Sequence, residues 1–354
     1  MKSSKILVGL LVCGCMLCSC DRSGDVSSNI RVSPNMLVMT VGDIQQLTAT
    51  PSANVEWSSS DESIAEVNHG FVEAKNDGHA VITAKSGKLE GTADVYITQE
   101  GGTYKGEYEL VWEDEFNGNS LDTDVWNIET GGGGWGNQEK QYYTSRLENL
   151  RVQNGCLEIE AKKEAYENNQ YTSARINTKN KKDFAYGKIE ARIKVPHGGG
   201  TWPAFWMLGY GSWPTCGEID IVECVGNSPY MASHAVHTRQ KNGLKGNNWN
   251  NKQTLSNLQD EWHVFGVEWL ETYLLGCDML RFYVDDVYSG TITSSNNSTF
   301  EDWPFTADRP EFIIINMALG GTMGGTINDD IFNDPQNNPV VMYVDWVRVY
   351  QKKL

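Results

Sequence analysis

The sequence predicts an all-β protein of two unequal domains, a small β-sandwich followed by a larger β-jelly roll. Short runs alternate apolar and polar residues at a period of two, glycine-rich turns separate them, and almost nothing sustains the 3.6-residue period of a helix. At 354 residues the chain exceeds one small domain.

The first residues are set aside from fold reasoning. Lys2 and Lys5 precede an apolar run from Ile6 to Leu17, the layout of a signal peptide and too short for a full membrane span. The run ends in Leu17-Cys18-Ser19-Cys20, which resembles a bacterial lipobox. That resemblance implies cleavage before Cys20, acylation of its thiol and a membrane tether, with the outer membrane and its outward face as the expected location. The alternative is an ordinary secretory signal with an incidental cysteine. Residues 1–19 are thus a leader, and the polar residues 20–29 a flexible tether.

Residues 30–99 read as the small sandwich. Alternating runs at Met36 to Thr40, Val55 to Trp57, Ala80 to Ala84 and Ala93 to Ile97 are separated by turn signals at Gly42, Ser58 to Asp61, Gly70 and Gly87. The strings VEWSSSDESIAEV and GFVEAKNDGHAVITAKSG in this segment closely resemble bacterial immunoglobulin-like domains of group 2. The resemblance implies an immunoglobulin-like spacer or adhesion module. No cluster of carboxylates or histidines argues for chemistry there.

Residues 100–107 contain Gly-Gly and read as a linker. From 108 to 354 the strand candidates are Leu157 to Ala161, Lys188 to Val195, Ala204 to Leu208, Glu218 to Val222, His263 to Trp269, Leu280 to Val284, Phe312 to Met317 and Met342 to Tyr350. So many strands with so few helices bury their apolar faces best as two stacked antiparallel sheets.

Composition narrows the ligand. The formal net charge is −17, and loss of a leader carrying Lys2 and Lys5 makes the remainder still more negative. Such a chain repels nucleic acids, so a neutral ligand is easier to reconcile with it. Twelve Trp and fifteen Tyr supply flat apolar faces with a polar edge, suited to sugar rings as well as to a core. Of eight Cys, four lie in the leader region, leaving Cys156, Cys216, Cys224 and Cys277. They make no disulfide framework and no zinc spacing; one bridge is open to them, and four buried thiols are the favoured reading.

The most informative segment is GEIDIVEC, Gly217 to Cys224. In a regular strand Glu218 and Asp220 share one face and Ile219 and Ile221 the other, and continued alternation would send Glu223 into the apolar layer. A β-bulge at Ile221-Val222 would return Glu223 to the face of the other acids, and bulges are frequent beside active sites. Four effective strand steps separate the two Glu backbones by roughly 13 Å. Side chains leaning together across a concave sheet would bring the carboxyls to roughly 5 to 6 Å, the spacing of a retaining glycosidase. Glu218 is then the nucleophile, Glu223 the acid/base, and Asp220 a helper placed to hydrogen-bond Glu218. Crowding keeps at least one proton on the trio near neutral pH, and Glu223 is its natural holder. The competing readings are a solvated strand face or a calcium site, against which stand the walls of Ile, Val and Cys and the neighbouring Trp213-Pro214.

At these residues the chain resembles the laminarinase-like branch of glycoside hydrolase family 16, through most of Tyr108 to Gln351. The resemblance implies a concanavalin A-like jelly roll with an open cleft that cleaves β-1,3-glucans internally, with mixed-linkage β-1,3/1,4-glucans a close alternative, and the same three roles for Glu218, Asp220 and Glu223. Period two places Trp202, Ala204 and Trp206 of TWPAFWML on one strand face, as stacking platforms or as core, and the resemblance favours the cleft. It also implies sugar-binding positions at Trp135, Asn137 and Glu139 in GGGGWGNQEKQYYT, at Arg175, at His237 in AVHT, and at Asn316. No cofactor is needed for the chemistry. A structural calcium ion is implied at Glu115, Gly155 and Asp345, whose oxygens suit a hard cation. GGTMGG, Gly320 to Gly325, departs from the family pattern, where an aromatic residue often follows the first glycines.

The enzyme, acting as a monomer on β-glucan, competes with two other readings. One is a non-catalytic surface protein that uses the cleft to bind glycan, and the other is an adhesion protein led by its first domain. Binding a neutral sugar requires no crowding of three acids, which favours the enzyme.

Overall fold

The structure, a computed structural model, describes residues 30–50, 54–98, 108–259, 261–270, 278–294, 302–335 and 339–352. The chain folds as two units, Met1–Lys105 and Gly106–Leu354. The leader, Cys20, the tether, the linker at 100–107 and Cys277 lie outside the described residues.

The small unit is a β-sandwich. Met36–Thr40, Leu89–Thr98, Gly78–Ser86 and Glu56–Ser59 form one sheet in that order, and Ile44–Gln46, Phe71–Ala74 and Ala65–Asn68 another. Val72, Ala80, Ile82, Ala84 and Val95 alternate inward from both sheets to make its core. Its strands follow the sequence pattern because each buries one face only.

The large unit stacks two mostly antiparallel sheets. The first runs Asn127–Glu129, Arg175–Asn177, Glu311–Leu319, Thr201–Gly209, Glu218–Cys224, Met231–His237 and Trp249–Thr254. The second centres on Cys156–Tyr166, Val340–Lys352, Gly187–Lys194, His263–Leu270 and Met279–Val284. Phe205, Met207, Ile219, Ile313 and Ile315 of the first meet Ile189, Ala191, Phe265, Val267, Phe282 and Val347 of the second in one apolar layer. Each such side chain contributes on the order of 2 kcal/mol by leaving water, so this layer fixes which residues of the first sheet must face the other way.

The second sheet's other face is charged yet densely paired. Arg151 meets Glu158 at 2.6 Å and Glu160 at 2.8 Å, and Lys188 meets Glu190 at 2.6 Å. Among the remaining cysteines, Cys216 and Cys224 are buried free thiols, whereas Cys156 is only half-buried because it begins a strand at a hairpin turn. The expectation of uniformly buried thiols is corrected at that residue.

Candidate active site

The site grows from one irregularity in Glu218–Cys224. On one side Glu218 faces His237 and Asp220 faces Ala235, but Glu223 faces Ser233, so the acid strand spends two residues where its neighbour spends one. On the other side Leu208 faces Glu218, Trp206 faces Asp220 and Ala204 faces Glu223, with the same one-residue shift. This is the expected β-bulge, centred on Ile221 and Val222. Both bulge residues point into the core, at 0% and 2% exposure, and Ile219 is equally buried. Three apolar side chains thereby hold Glu218, Asp220 and Glu223 on the opposite face.

Each acid has a different set of neighbours. Glu223 accepts a hydrogen bond from the indole Nε1 of Trp202 at 3.0 Å. Trp202 is 7% exposed, so it meets the site by its edge rather than as a stacking platform. His237 receives the backbone N–H of Gly243 at Nδ1, 3.1 Å, which leaves the proton of the neutral ring on Nε2. That nitrogen lies 3.3 Å from Asp220 Oδ2 and 3.7 Å from Glu218 Oε1. No hydrogen bond joins Asp220 to Glu218. His237 lies near both acids and Asp220 Oδ2 has no hydrogen-bond partner, so the expected direct bond is not seen. Trp213, noted in the sequence only as a neighbour, packs on His237 with ring centroids 5.8 Å apart, and its indole favours the charged form of Glu218.

Electrostatics follow from burial and crowding. Burial pushes the Glu223 carboxyl up to about 8, aided by the charge of Asp220 and opposed by the Trp202 N–H and by His237. Burial likewise raises Asp220 to about 8. Glu218 is raised by burial first and then by Asp220, while His237 and the Trp213 N–H pull it back toward the charged form. Glu223 therefore holds a proton at neutral pH, while His237 and Trp213 oppose the upward shift of Glu218.

A fourth carboxyl stands behind this strand. Glu311 is 1% exposed, its two oxygens have no hydrogen-bond partner, and burial pushes it well up, so it is neutral. It explains Gly217, whose φ is 90° and whose missing Cβ would lie 2.8 Å from Glu311 Oε1.

The other expected site residues form one wall. Register sets Glu129, Arg175, Asn316, Ala204 and Glu223 in a row across five adjacent strands, a span of about 19 Å at the usual strand spacing. Glu129 Oε2 holds Arg175 Nε at 2.5 Å. The guanidinium then lies 4.9 Å from the rings of both Trp135 and Trp206. Trp206 Nε1 donates to Asn316 Oδ1 at 2.8 Å, Asn316 donates to the Tyr143 hydroxyl at 3.1 Å, and Tyr143 donates to Glu139 at 3.0 Å. Gln141 and Asn137 also donate to Glu139. Tyr143, Gln141 and Glu129 were not singled out in the sequence, and only their hydrogen bonds reveal them. The GGTMGG segment packs here as well, Thr322 N–H donating to the carbonyl of Asn137 at 2.8 Å. A cavity of about 580 Å³ opens beside this loop between Gly132 and Asn169; it shares Glu139 with the wall, but none of the three acids lines it.

The implied calcium residues converge on one end of the second sheet. Asp114 pairs with Val347 and Leu157 with Val344, so the segments carrying Glu115 and Gly155 flank the strand of Asp345 on either side. Arg348 donates to Glu115 at 2.8 Å and Arg192 to Asp345 at 2.6 Å, each to one oxygen of its carboxylate. Two carboxylates and a turn carbonyl are hard donors and fit such an ion.

Residues 135–348, more than half of the chain, match the family described as Glycosyl hydrolases family 16. The chain belongs to this family. Residues 26–98 match the Bacterial Ig-like domain (group 2). The family 16 region is 41% identical over 256 residues to a β-glucanase of Rhodothermus marinus, covering 69% of this chain and 85% of that protein. It is 35% identical to glucan endo-1,3-β-glucosidase A1 of Niallia circulans, covering 69% of this chain and 38% of that one. The solved laminarinase of Rhodothermus marinus superposes with a TM-score of 0.63 at 40% identity, covering 71% of this chain and all of that one.

The alkaline limb of kcat/KM is expected near pH 8, where Glu223 loses its proton. Asp220→Asn removes the charge that helps raise Glu223, so the limb moves down. Trp202→Phe removes a hydrogen bond that favours the ionised form, so the limb moves up. Initial rates across pH 5 to 10, on the order of ten points per variant, check both signs.

Proposed function

We propose that this family 16 domain is a retaining endo-β-glucanase that hydrolyses β-1,3-linked glucans, with mixed-linkage β-1,3/1,4-glucans as further substrates. The observation that carries the reading is the bulge, which sets Glu218 and Glu223 on one face of one strand, with Glu223 holding a proton at neutral pH. Glu218 Oε attacks the anomeric carbon while Glu223 gives its proton to the departing glycosidic oxygen, leaving a glycosyl ester on Glu218. The negative charge on Glu218 is then gone, and Glu223, now ionised, takes a proton from water as that water attacks the same carbon. The ester bond to Glu218 breaks, and both carboxyls return to their starting states. His237 and Trp213 keep Glu218 aimed. The wall from Trp206 to Glu139 offers ring faces and hydrogen bonds to a neutral polyol, in keeping with the chain's net charge of −17.

The lipobox-like run supports an anchor at Cys20 and an outer-membrane, outward-facing location, with the immunoglobulin-like domain as spacer. Cys20→Ala should shift the protein from the membrane pellet to the soluble fraction. Equal partitioning of the two forms rules the anchor out.

Glu115, the Gly155 carbonyl and Asp345 would hold a calcium ion that ties three strand ends together and takes no part in the chemistry. Excess chelator should lower the melting temperature by about 5 °C and added Ca²⁺ restore it. An unchanged melting curve argues against the site.

Product chromatography on laminarin, barley-type mixed-linkage glucan, agar and carrageenan tests the activity itself. Oligosaccharides of several lengths are expected early from laminarin, and Glu218→Ala or Glu223→Ala should lose about 1,000-fold or more in rate. A protein that binds laminarin and releases nothing ends the enzyme reading.

A further inference from the structure

We propose that His234 is a positioning residue for the general acid, holding in place the bulge that turns Glu223 into the cleft. His234 belongs to Met231–His237 and stands where the register jumps from Asp220/Ala235 to Glu223/Ser233, so it is the single residue facing Ile221 and Val222. Its side chain points into the core with no exposure. There Nδ1 lies 2.6 Å from the carbonyl oxygen of Ile221.

The chemistry of this contact is one-directional. A carbonyl only accepts, so the proton of the ring sits on Nδ1, and Nε2 is a bare lone pair. Nε2 is buried without a hydrogen-bond partner, and burial pushes the imidazole down to about 4, which keeps the ring neutral and in that tautomer. The ring stacks on Phe282 of the opposite sheet at 5.1 Å and 29°, and Phe282 in turn stacks on Trp249 at 5.1 Å. Rotation about the ring's bonds is therefore blocked from one side.

Such a residue is needed because a bulge takes backbone groups out of the regular ladder. An unpaired carbonyl in an apolar layer is costly. Without the imidazole N–H, the strand would relieve that cost by moving Ile221, and the first side chain to lose its aim would be Glu223, two residues on. His237, three residues away on the same strand, serves the nucleophile from the cleft face, and His234 serves the acid from the core face.

The inference rests on the hydrolytic reading above, and its test uses the full chain. Cleavage of a glucan needs a proton on the leaving oxygen, whereas departure of dinitrophenolate from a 2,4-dinitrophenyl laminaribioside needs almost none. His234→Phe keeps a ring against Phe282 and removes the donor. It should lower kcat on laminarin about 100-fold with KM nearly unchanged, while the dinitrophenolate burst falls by no more than about threefold. His234→Asn restores an N–H at the same number of bonds from the backbone and should recover laminarin turnover to within about tenfold of the original. Equal loss on both substrates, or no loss on laminarin, overturns the proposal. Should His234→Phe fail to fold, His234→Val and His234→Asn give the same comparison, in which only the Asn form keeps laminarin turnover. A native protein inactive on both substrates would refute the hydrolytic reading instead.

Discussion

Repulsion among carboxyls confined to one face of one strand organises this molecule. Glu218, Asp220 and Glu223 are kept out of water by the sheet behind them and by rings around them, and three negative charges cannot coexist there. At least one proton therefore stays, and the neighbouring rings bias where charge is tolerated. His237 and Trp213 face Glu218, and the indole N–H of Trp202 is bonded to Glu223. A pair of chemically identical side chains acquires two roles from this asymmetry, and the neutral ester formed on Glu218 reverses the role of its partner.

Backbone geometry makes that crowding available. A strand without the extra residue would present Glu223 to the layer occupied by Ile219 and Phe205, where a carboxyl has no partner. Ile221 and Val222 take up the slack by both burying their side chains, so apolar burial stabilises an arrangement that electrostatics opposes. Glu311 shows the other solution to a buried acid, a carboxyl left neutral with no hydrogen-bond partner.

Much of this was legible in the sequence. The alternation of Glu218 to Val222 and the single residue that breaks it specified both the strand and the bulge, because a period of two permits no other way to bring Glu223 round. Strands such as Met36–Thr40 and Glu311–Leu319 were equally plain, since each carries a run of apolar or alternating residues. What was not legible depended on contacts between distant strands. Trp202 and Trp206 read alike four residues apart, yet one lends its N–H to Glu223 and the other is covered by Arg175. The expected bond between Asp220 and Glu218 is not seen, and His237, on the next strand, lies near both acids. His234 gave no signal at all, since a core histidine is ordinary until its carbonyl partner is known.

The line of residues from Glu129 to Glu223 has an architectural consequence. Each member comes from a different strand, so a polymer lying along it would be read at right angles to the chain that reads it. Neighbouring sugar positions would then be governed by residues dozens of places apart in the sequence. One contact could be exchanged by a single substitution without disturbing its neighbours, because the rigid ladder of backbone hydrogen bonds, rather than any loop, keeps the spacing.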